Sequence, residues 1–325
     1  MALKFRTEVA VRPVDTKITY GSRIVTIGSC FSDEVGARLR NRMFDVSVNP
    51  VGTLYNPMSI AMALESLMSE RIYTEADLVN RDGLWHSFDH HSRFSAQDPY
   101  RCLSQINIAM KEGRDALAAC THLFVTFGTS WVYTRDGSVV ANCHKFPACE
   151  FHRTCMRVDE IVDIWLSLLD RLHRFNPAMN VIFTISPIRH LSDGAHGNQL
   201  SKATLLLAVE SIMERTDMAV EYFPAYELVL DDLRDYRFYD SDLTHPSDMA
   251  VDYVYGKLAD MFFDPKTVKA SCEAEKLLRF AHHRPMSCGS EGILHHESQL
   301  KKKIESLLTA YPDMTNAVNK LFHRI

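Results

Sequence analysis

Five short apolar runs, rich in β-branched residues, recur along the chain, and segments with helical periodicity separate them. Each run ends at Gly, Asn, Pro or Ser and is followed by a loop and then a helix-like segment. The runs occupy residues 23–28, 45–49, 122–128, 180–186 and 219–224. Strands that alternate with helices favour right-handed βαβ crossovers, so the pattern predicts an α/β fold with a mostly parallel five-stranded sheet covered on both faces.

Helical patterns connect these runs. The predicted helices span residues 32–42, 58–69, 97–120, 158–175, 198–214 and 246–263. Residues 133–139 predict a β-hairpin with an Asp-Gly turn, inserted after the third strand. Beyond Asp264-Pro265 the chain has a wholly helical and charged pattern. We therefore predict a domain at residues 1–264 and a helical C-terminal extension at residues 265–325.

Composition narrows the range of functions. The chain has 325 residues, 46% hydrophobic and 24% charged, which is typical of one large globular domain with an appendage. Its net charge of −5 gives no electrostatic reason to expect nucleic acid. We find no apolar run of signal-peptide or membrane-spanning length, and the eight scattered cysteines do not suggest a disulfide framework. A cytoplasmic protein with no membrane partner is expected, and its oligomeric state stays open.

The first run breaks at Gly28-Ser29, directly before a predicted helix. Ligands of parallel sheets bind outside the carboxyl ends of the strands. A serine at such a turn lies where unpaired backbone N–H groups converge, which suits a nucleophile that generates an oxyanion. The alternative for Ser29 is a helix-capping serine. Cys30 is a second candidate nucleophile, although a buried apolar thiol is its more usual role.

Three Asp-x-x-His pairs offer an acid and an imidazole. They are Asp170–His173, Asp193–His196 and Asp242–His245. The first falls within a helical pattern before a strand, which places it at the amino end of the sheet. The second follows the fourth run in a Gly-rich loop and stays open. The third follows the fifth run, so that one loop delivers a carboxylate to orient the imidazole and an imidazole to activate Ser29.

Several blocks of the sequence resemble the bacterial GSCFA domain family, a branch of the SGNH (GDSL-like) hydrolases. The similar blocks are residues 27–31 (IGSCF), 49–57 (NPVGTLYNP), 85–94 (WHSFDHHSRF), 127–133 (FGTSWVY), 142–145 (NCHK), 186–190 (SPIRH) and 242–246 (DLTHP). The resemblance implies a three-layer α/β/α, flavodoxin-like sandwich. It also implies that Ser29 is the nucleophile, His245 the general base and Asp242 the residue that orients it.

In the wider superfamily, a glycine after the second strand and an asparagine after the third complete the oxyanion hole with the serine amide. Gly52 matches the glycine. No asparagine matches, because Gly128-Thr129 is followed by Ser130. Ser130, Asn142 and Asn198 are the alternatives for the third donor. We prefer Asn142, which lies in the adjoining hairpin.

Four residues are candidates for contacts with substrate. They are Ser130, His90, His91 and Arg189. The polar and aromatic stretch at residues 85–94 either lines the substrate entrance or braces a long loop. Arg189 and His190 follow the fourth run; they either bind an anionic group or hold Asp193 in a salt bridge.

Together these patterns predict a serine esterase-type hydrolase. Its expected substrate is a small-molecule or glycan ester, such as a carbohydrate or metabolite bearing an O-acetyl group, and it needs no cofactor. One alternative is an O-acyltransferase that uses the same triad. Another is an inactive glycan- or peptide-binding module, which the missing asparagine favours. Five Cys and His residues between 143 and 155 lack paired zinc-ligand spacing, so no metal is expected.

Overall fold

A computed structural model describes residues 7–283 and 290–322 of the chain. Its strands are β1 (Arg23–Gly28), β2 (Asp45–Val48), β3 (Val79–Arg81), β4 (Leu84–His86), β5 (His122–Phe127), β6 (Trp131–Arg135), β7 (Ser138–Val140), β8 (His152–Cys155), β9 (Asn180–Ile185) and β10 (Val220–Phe223). Five of them form one parallel sheet in the order β10-β9-β5-β1-β2. The predicted five-stranded parallel sheet is confirmed. The strand order reverses beside β1, and a ligand crevice is expected at such a switch point.

The helices are α1 (Cys30–Arg40), α2 (Pro57–Met68), α3 (Pro99–Ala119), α4 (Val158–Phe175), α5 (Gly194–Arg215), α6 (Ala225–Glu227), α7 (Asp248–Phe262), α8 (Pro265–His282), α9 (Ser290–Ala310) and α10 (Thr315–Phe322). Buried side chains of α2, α3, α4 and α5 form a core on one face of the sheet. Those of α1 and α7 form a second core on the other face. The predicted three-layer α/β/α sandwich is confirmed.

Alternation along the strands builds both cores. Ile24 packs with the α1 and α7 side chains, whereas its neighbour Val25 packs with those of α2 to α5, because successive strand residues point to opposite faces. Trp165 of α4 is fully buried, and its ring lies 4.9 Å from that of Phe127 and 5.1 Å from that of Phe183. Its indole N–H donates to the carbonyl of Pro57 at 3.2 Å. This satisfies the polar atom of the largest core side chain.

The predicted hairpin is confirmed as β6 and β7, which pair antiparallel. Asp136 and Gly137 have φ values of 51° and 79°, as the turns of two-residue hairpins require. β8 adds a third antiparallel strand on the other side of β6. This small sheet stands next to the carboxyl end of β5 and supplies one wall of the cavity described below.

Some helix starts differ from the predictions: α5, for example, begins at Gly194 and not at residue 198. α7 begins at Asp248 and not at Pro246, because the hydroxyl of Ser247 accepts from the amide of Ala250. Pro246 pairs instead with Tyr239 in an isolated bridge. α1 begins at Cys30, two residues earlier than predicted. Its N-cap is Ser29, in extended conformation and without a capping hydrogen bond from its side chain.

The described residues after 265 are helical, as predicted, and pack on the sandwich. Leu277, Leu300 and Leu307 share a buried cluster with Met43, which follows the C-terminal end of α1. Lys320 pairs with Asp45, the first residue of β2, at 2.7 Å. These contacts place α8 and α10 at the amino end of the strands, opposite the strand ends where ligands of such sheets bind. Within the described ranges, no helix is both long and apolar enough to cross a membrane.

Candidate active site

Ser29 lies in the turn between β1 and α1, at the carboxyl edge of the sheet. Gly28 makes this turn possible. Its φ is 137°, and a side-chain carbon there would lie 2.2 Å from the carbonyl oxygen of Thr126. Ser29 is only 1% exposed, and its Oγ has no hydrogen-bond partner within the described chain. A buried hydroxyl without a partner is unusual in a folded protein and marks a functional candidate.

Two of the predicted oxyanion donors have partners within the protein. The amide of Ser29 donates to the carbonyl of Thr126 at 3.1 Å, and that of Gly52 donates to the carbonyl of Asn49 at 2.8 Å. Asn142 lines the cavity, and its Oδ1 accepts from the amide of His144 at 2.8 Å. The Asn142 side chain therefore directs its acceptor to the backbone and keeps its amide NH₂ for another group.

The loop after β10 joins the predicted acid and base. Nδ1 of His245 donates to Oδ2 of Asp242 at 2.5 Å. Oδ1 of Asp242 accepts from the amides of His245 and Thr244, each at 2.9 Å. These hydrogen bonds, led by the two amides, hold the pKa of Asp242 well below its ordinary value. The carboxylate is therefore charged and fixed, as a residue that orients an imidazole must be.

The other two Asp-x-x-His pairs have different surroundings. Asp170 and His173 lie exposed on α4. Asp193 forms two hydrogen bonds with Arg153, at 2.5 and 2.7 Å, and His196 is exposed on α5. Of the three pairs, the one at 242 and 245 has the hydrogen bond that the predicted mechanism needs.

A cavity of about 500 Å³ opens at the carboxyl edge of the sheet. Cys30 and His245 both line it, whereas Ser29, the residue before Cys30, is buried and is not part of the wall. Aromatic and polar side chains supply most of its remaining wall, and they include Tyr55, Trp131, Tyr133, Asn142, Arg153, Arg189 and His190. Ser29 and His245 do not share a hydrogen bond in this structure. Catalytic hydrogen bonds are often long without substrate and tighten when it binds.

Of the four predicted substrate contacts, Arg189 lines this cavity and the other three do not. Arg189 lines the cavity, where its guanidinium donates to the carbonyl of Leu243 at 2.7 Å. The hydroxyl of Ser130 is buried and donates to that of Ser201 at 3.0 Å. His90 is buried, shares a 3.0 Å hydrogen bond with Ser87 and lines a much smaller cavity. His91 packs beside Gly52, where an added side-chain carbon would lie 2.2 Å from its Cβ.

Arg153 is a cavity residue that sequence reasoning missed. Its guanidinium lies 4.0 Å from the centre of the Trp131 ring and forms a two-pronged ion pair with Asp193. This ion pair lowers the pKa of Asp193. The salt bridge suggested for Arg189 is thus made by Arg153, because β8 brings that residue across the small sheet to the loop after β9. The pairing of β6 with β8 joins residues 18 to 24 positions apart, which no local pattern indicated.

Lys202 is a second residue that sequence reasoning missed. It is 1% exposed, and its Nζ donates to the carbonyls of Gly128 and Ser186 at 2.6 and 2.7 Å. It therefore joins the loops after β5 and β9 beneath the cavity. Burial lowers the pKa of Lys202 to about 7. Lys202 stands three residues before Leu205, on the buried face of α5, and this spacing is the sequence signal that could have indicated its burial.

Cys30 is a poor nucleophile in this setting. Burial, reinforced by the nearby Asp33 carboxylate, raises the pKa of its thiol to about 11. Since the thiolate is the reactive form, this cysteine is almost wholly the unreactive thiol at neutral pH. Among the described residues, no group of three or more His, Cys, Asp or Glu side chains is arranged to hold a metal ion.

Buried histidines lead us to expect an acid-sensitive fold. Burial lowers the pKa values of His90, His122 and His144 to about 4, against about 6.5 in an unfolded chain. Between these values the unfolded chain binds more protons, so the free energy of unfolding falls as the pH drops from 6.5 to 4. At pH 5 the loss is at most about 2 kcal/mol per histidine.

Urea unfolding at pH 7 and pH 5 measures this effect. The midpoint should be clearly lower at pH 5, and His122→Gln should reduce the difference by removing one titrating group. Equal midpoints at the two pH values would contradict the expectation.

The fold defines the class of this protein: it is a three-layer α/β/α sandwich with a polar and aromatic cavity at the carboxyl edge of its parallel sheet. The chain belongs to the GSCFA family, whose model matches residues 23–258.

Among solved structures, the chain is similar to a family two carbohydrate esterase from Clostridium thermocellum in complex with cellohexaose. The identity is 14% and the TM-score 0.34, and the alignment covers 77% of this chain and 64% of that one. The chain therefore spans less than two thirds of that structure's length. No curated protein matches the sequence.

Proposed function

We propose that this protein is a serine esterase-type hydrolase of the SGNH kind. Its expected substrates carry a small O-acyl group, such as acetyl, on a carbohydrate or metabolite. The observation that supports it most is the Asp242–His245 pair, hydrogen-bonded at 2.5 Å, on the cavity that also reaches the turn of Ser29. A carboxylate, an imidazole and a hydroxyl at one strand edge are the groups that acyl transfer to a serine requires.

In the proposed reaction, Oγ of Ser29 attacks the acyl carbon and its proton passes to Nε2 of His245. Asp242 holds Nδ1 and stabilises the imidazolium that forms. The same proton then passes to the departing alcohol oxygen as the bond to the acyl carbon breaks. Water repeats the sequence on the acyl-enzyme, which releases the acid and restores Ser29. The chain's own residues supply every proton transfer.

The cavity walls suit an acylated sugar or a molecule of similar size. A volume of about 500 Å³ lies within the usual range for small-molecule sites. Trp131 and Tyr133 offer flat apolar faces, while Asn142 offers an amide donor. Asp193 balances the charge of Arg153, whereas Arg189 donates to the neutral carbonyl of Leu243 and keeps its charge on this cavity.

One observation favours a second candidate, a catalytically inactive glycan-binding module on the same fold. The amides of Ser29 and Gly52 already donate to protein carbonyls. An oxyanion hole built on them would have to share or break these bonds. Such a module would keep the cavity and its aromatic walls but would not activate Ser29.

Labelling with a fluorophosphonate probe separates the two candidates, because only an activated serine reacts readily. We expect the wild-type protein and Cys30→Ala to be labelled, and Ser29→Ala to stay unlabelled. Cys30→Ala is the matched control, since it changes the neighbouring side chain and leaves the hydroxyl. A wild-type protein that is folded and unlabelled would overturn the esterase proposal and favour the binding module.

A further inference from the structure

The backbone around Ser29 leaves few donors for an oxyanion. Besides the amides of Ser29 and Gly52, those of Gly128 and Thr129 both donate to the carbonyl of Tyr55, at 2.8 and 2.9 Å. These amides belong to the loops that follow β1, β2 and β5, the strand ends nearest the serine. Side chains near Ser29 are therefore candidates for additional oxyanion donors on this edge.

His190 has a donor atom beside Ser29. A side-chain carbon placed on Gly128 would lie 3.3 Å from Cβ of Ser29 and 3.4 Å from Nε2 of His190. Both side chains therefore border the space above the bare Cα of Gly128. Nε2 of His190 and Oγ of Ser29 are both buried, and both lack a partner within the described residues. His190 also lines the cavity, as does Cys30, the residue after Ser29.

The surroundings of His190 favour a neutral imidazole. Burial, with the charge of Lys202 as a second cause, lowers the pKa of His190 to about 4. Asp193, the nearby carboxylate, is occupied by Arg153. His245 is the other imidazole on this cavity, and its Nδ1 donates to Oδ2 of Asp242. The two histidines are therefore suited to different tasks, one to take a proton and the other to donate a hydrogen bond while staying neutral.

The backbone of His190 is hydrogen-bonded, and its ring packs against a neighbouring ring. Its amide donates to Oδ1 of Asn198 at 2.9 Å. The ring stands edge-on to that of Tyr55, with centres 5.9 Å apart. A donor that is already held in place needs little reorganisation when charge develops on the substrate.

We infer that His190 supplies an oxyanion donor, taking the place of the asparagine that is absent after β5. The inference rests on the proposed esterase function. As Oγ of Ser29 bonds to the acyl carbon, the carbonyl π electrons move onto oxygen, and that oxygen accepts a hydrogen bond from Nε2–H of His190. His190 keeps its proton throughout. The proton from Ser29 goes to His245, so charge and atoms balance.

Kinetics with p-nitrophenyl acetate test this role. We expect His190→Phe to lower kcat/KM by roughly 10²- to 10³-fold, mainly through kcat. His190→Gln keeps an N–H donor and should recover at least part of the loss. Both variants should keep the wild-type shape of the pH–rate profile, because His190 does not carry the transferred proton. His122→Gln is the matched control: it alters another buried histidine with an unpartnered Nε2, at the amino end of β5, and should leave kcat/KM unchanged.

The outcomes distinguish the two proposals. Near wild-type kcat/KM in His190→Phe, with Ser29→Ala inactive, would overturn the role of His190 and leave the esterase intact. Loss of the acid limb of the profile in His190→Gln would make His190 the base and also overturn the donor role. A wild-type protein without turnover and without Ser29 labelling would overturn the function itself. If His190→Phe does not fold, Gly128→Ala inserts a methyl group between Ser29 and His190; unchanged kcat in that variant would count against the inference.

Discussion

Replacing His245 by alanine is expected to lower kcat for p-nitrophenyl acetate by roughly 10³- to 10⁵-fold. The imidazole is the only group in the proposed mechanism that takes the proton from Ser29. Asp242→Asn should also be strongly impaired, because the amide stabilises the wrong tautomer and cannot balance an imidazolium. The double variant should lose little more than His245→Ala alone, since residues that act as a unit are not additive.

His196→Ala is the matched control for this experiment. It removes the imidazole of another Asp-x-x-His pair, which lies exposed on α5 while its aspartate is bound to Arg153. We expect unchanged kcat and KM. Turnover in His245→Ala within a factor of ten of wild type would remove His245 from the mechanism. Comparing the burst rate with the steady-state rate would show whether formation or hydrolysis of the acyl-enzyme is affected.

Replacing Lys202 by methionine is expected to lower the free energy of unfolding by about 2–4 kcal/mol at pH 7. Methionine fills a similar volume but leaves the carbonyls of Gly128 and Ser186 without their donor. An unpaired buried carbonyl is costly, and removal of a buried charge offsets only part of that cost. Since these carbonyls belong to the loops beneath the cavity, activity should fall with stability.

The pKa of Lys202 also predicts how the loss of stability in Lys202→Met changes with pH. The pKa of Lys202 is about 7 in the folded protein and about 10.4 in an unfolded chain. Between these values the unfolded chain binds more protons, so the wild-type protein gains stability from this residue as the pH rises. The difference between wild type and Lys202→Met should therefore widen from pH 7 to pH 9.

Urea unfolding followed by circular dichroism measures both effects. Lys276→Met is the matched control, because that lysine is exposed and forms only a surface ion pair with Glu273. We expect no measurable change in its midpoint. If Lys202→Met were as stable as wild type at both pH values, the two carbonyls would not depend on the lysine.

The strands and most helices were predictable because each carries its own signal. β1 was predicted residue for residue, and so was α4, whose buried positions recur at helical spacing. The hairpin followed from Asp136-Gly137, a local turn signal. The start of α7 was wrong because a cap decided it: a serine outside the apolar pattern, here Ser247, does not reveal which amide it will satisfy.

The candidate site was predictable only in part. Ser29 follows a strand and Asp242 and His245 share one loop, so strand ends and a three-residue spacing were enough to suggest them. The sequence alone did not reveal that the amides of Ser29 and Gly52 would be taken by protein carbonyls. It also did not indicate that Ser130 and His90 would be buried and hydrogen-bonded to other side chains.

By itself, the sequence determined the α/β class, the strand and helix segments, and the residues that stand at the strand ends, because periodicity and turn chemistry act over a few neighbouring residues. Only the tertiary structure decided which of those residues face one another. Arg153 reaches Asp193, Lys202 joins two loops, and His190 and Ser29 both lie beside Gly128 through contacts between distant segments. Such contacts depend on strand order and register, which are set when the whole sheet packs and not by any short stretch of chain.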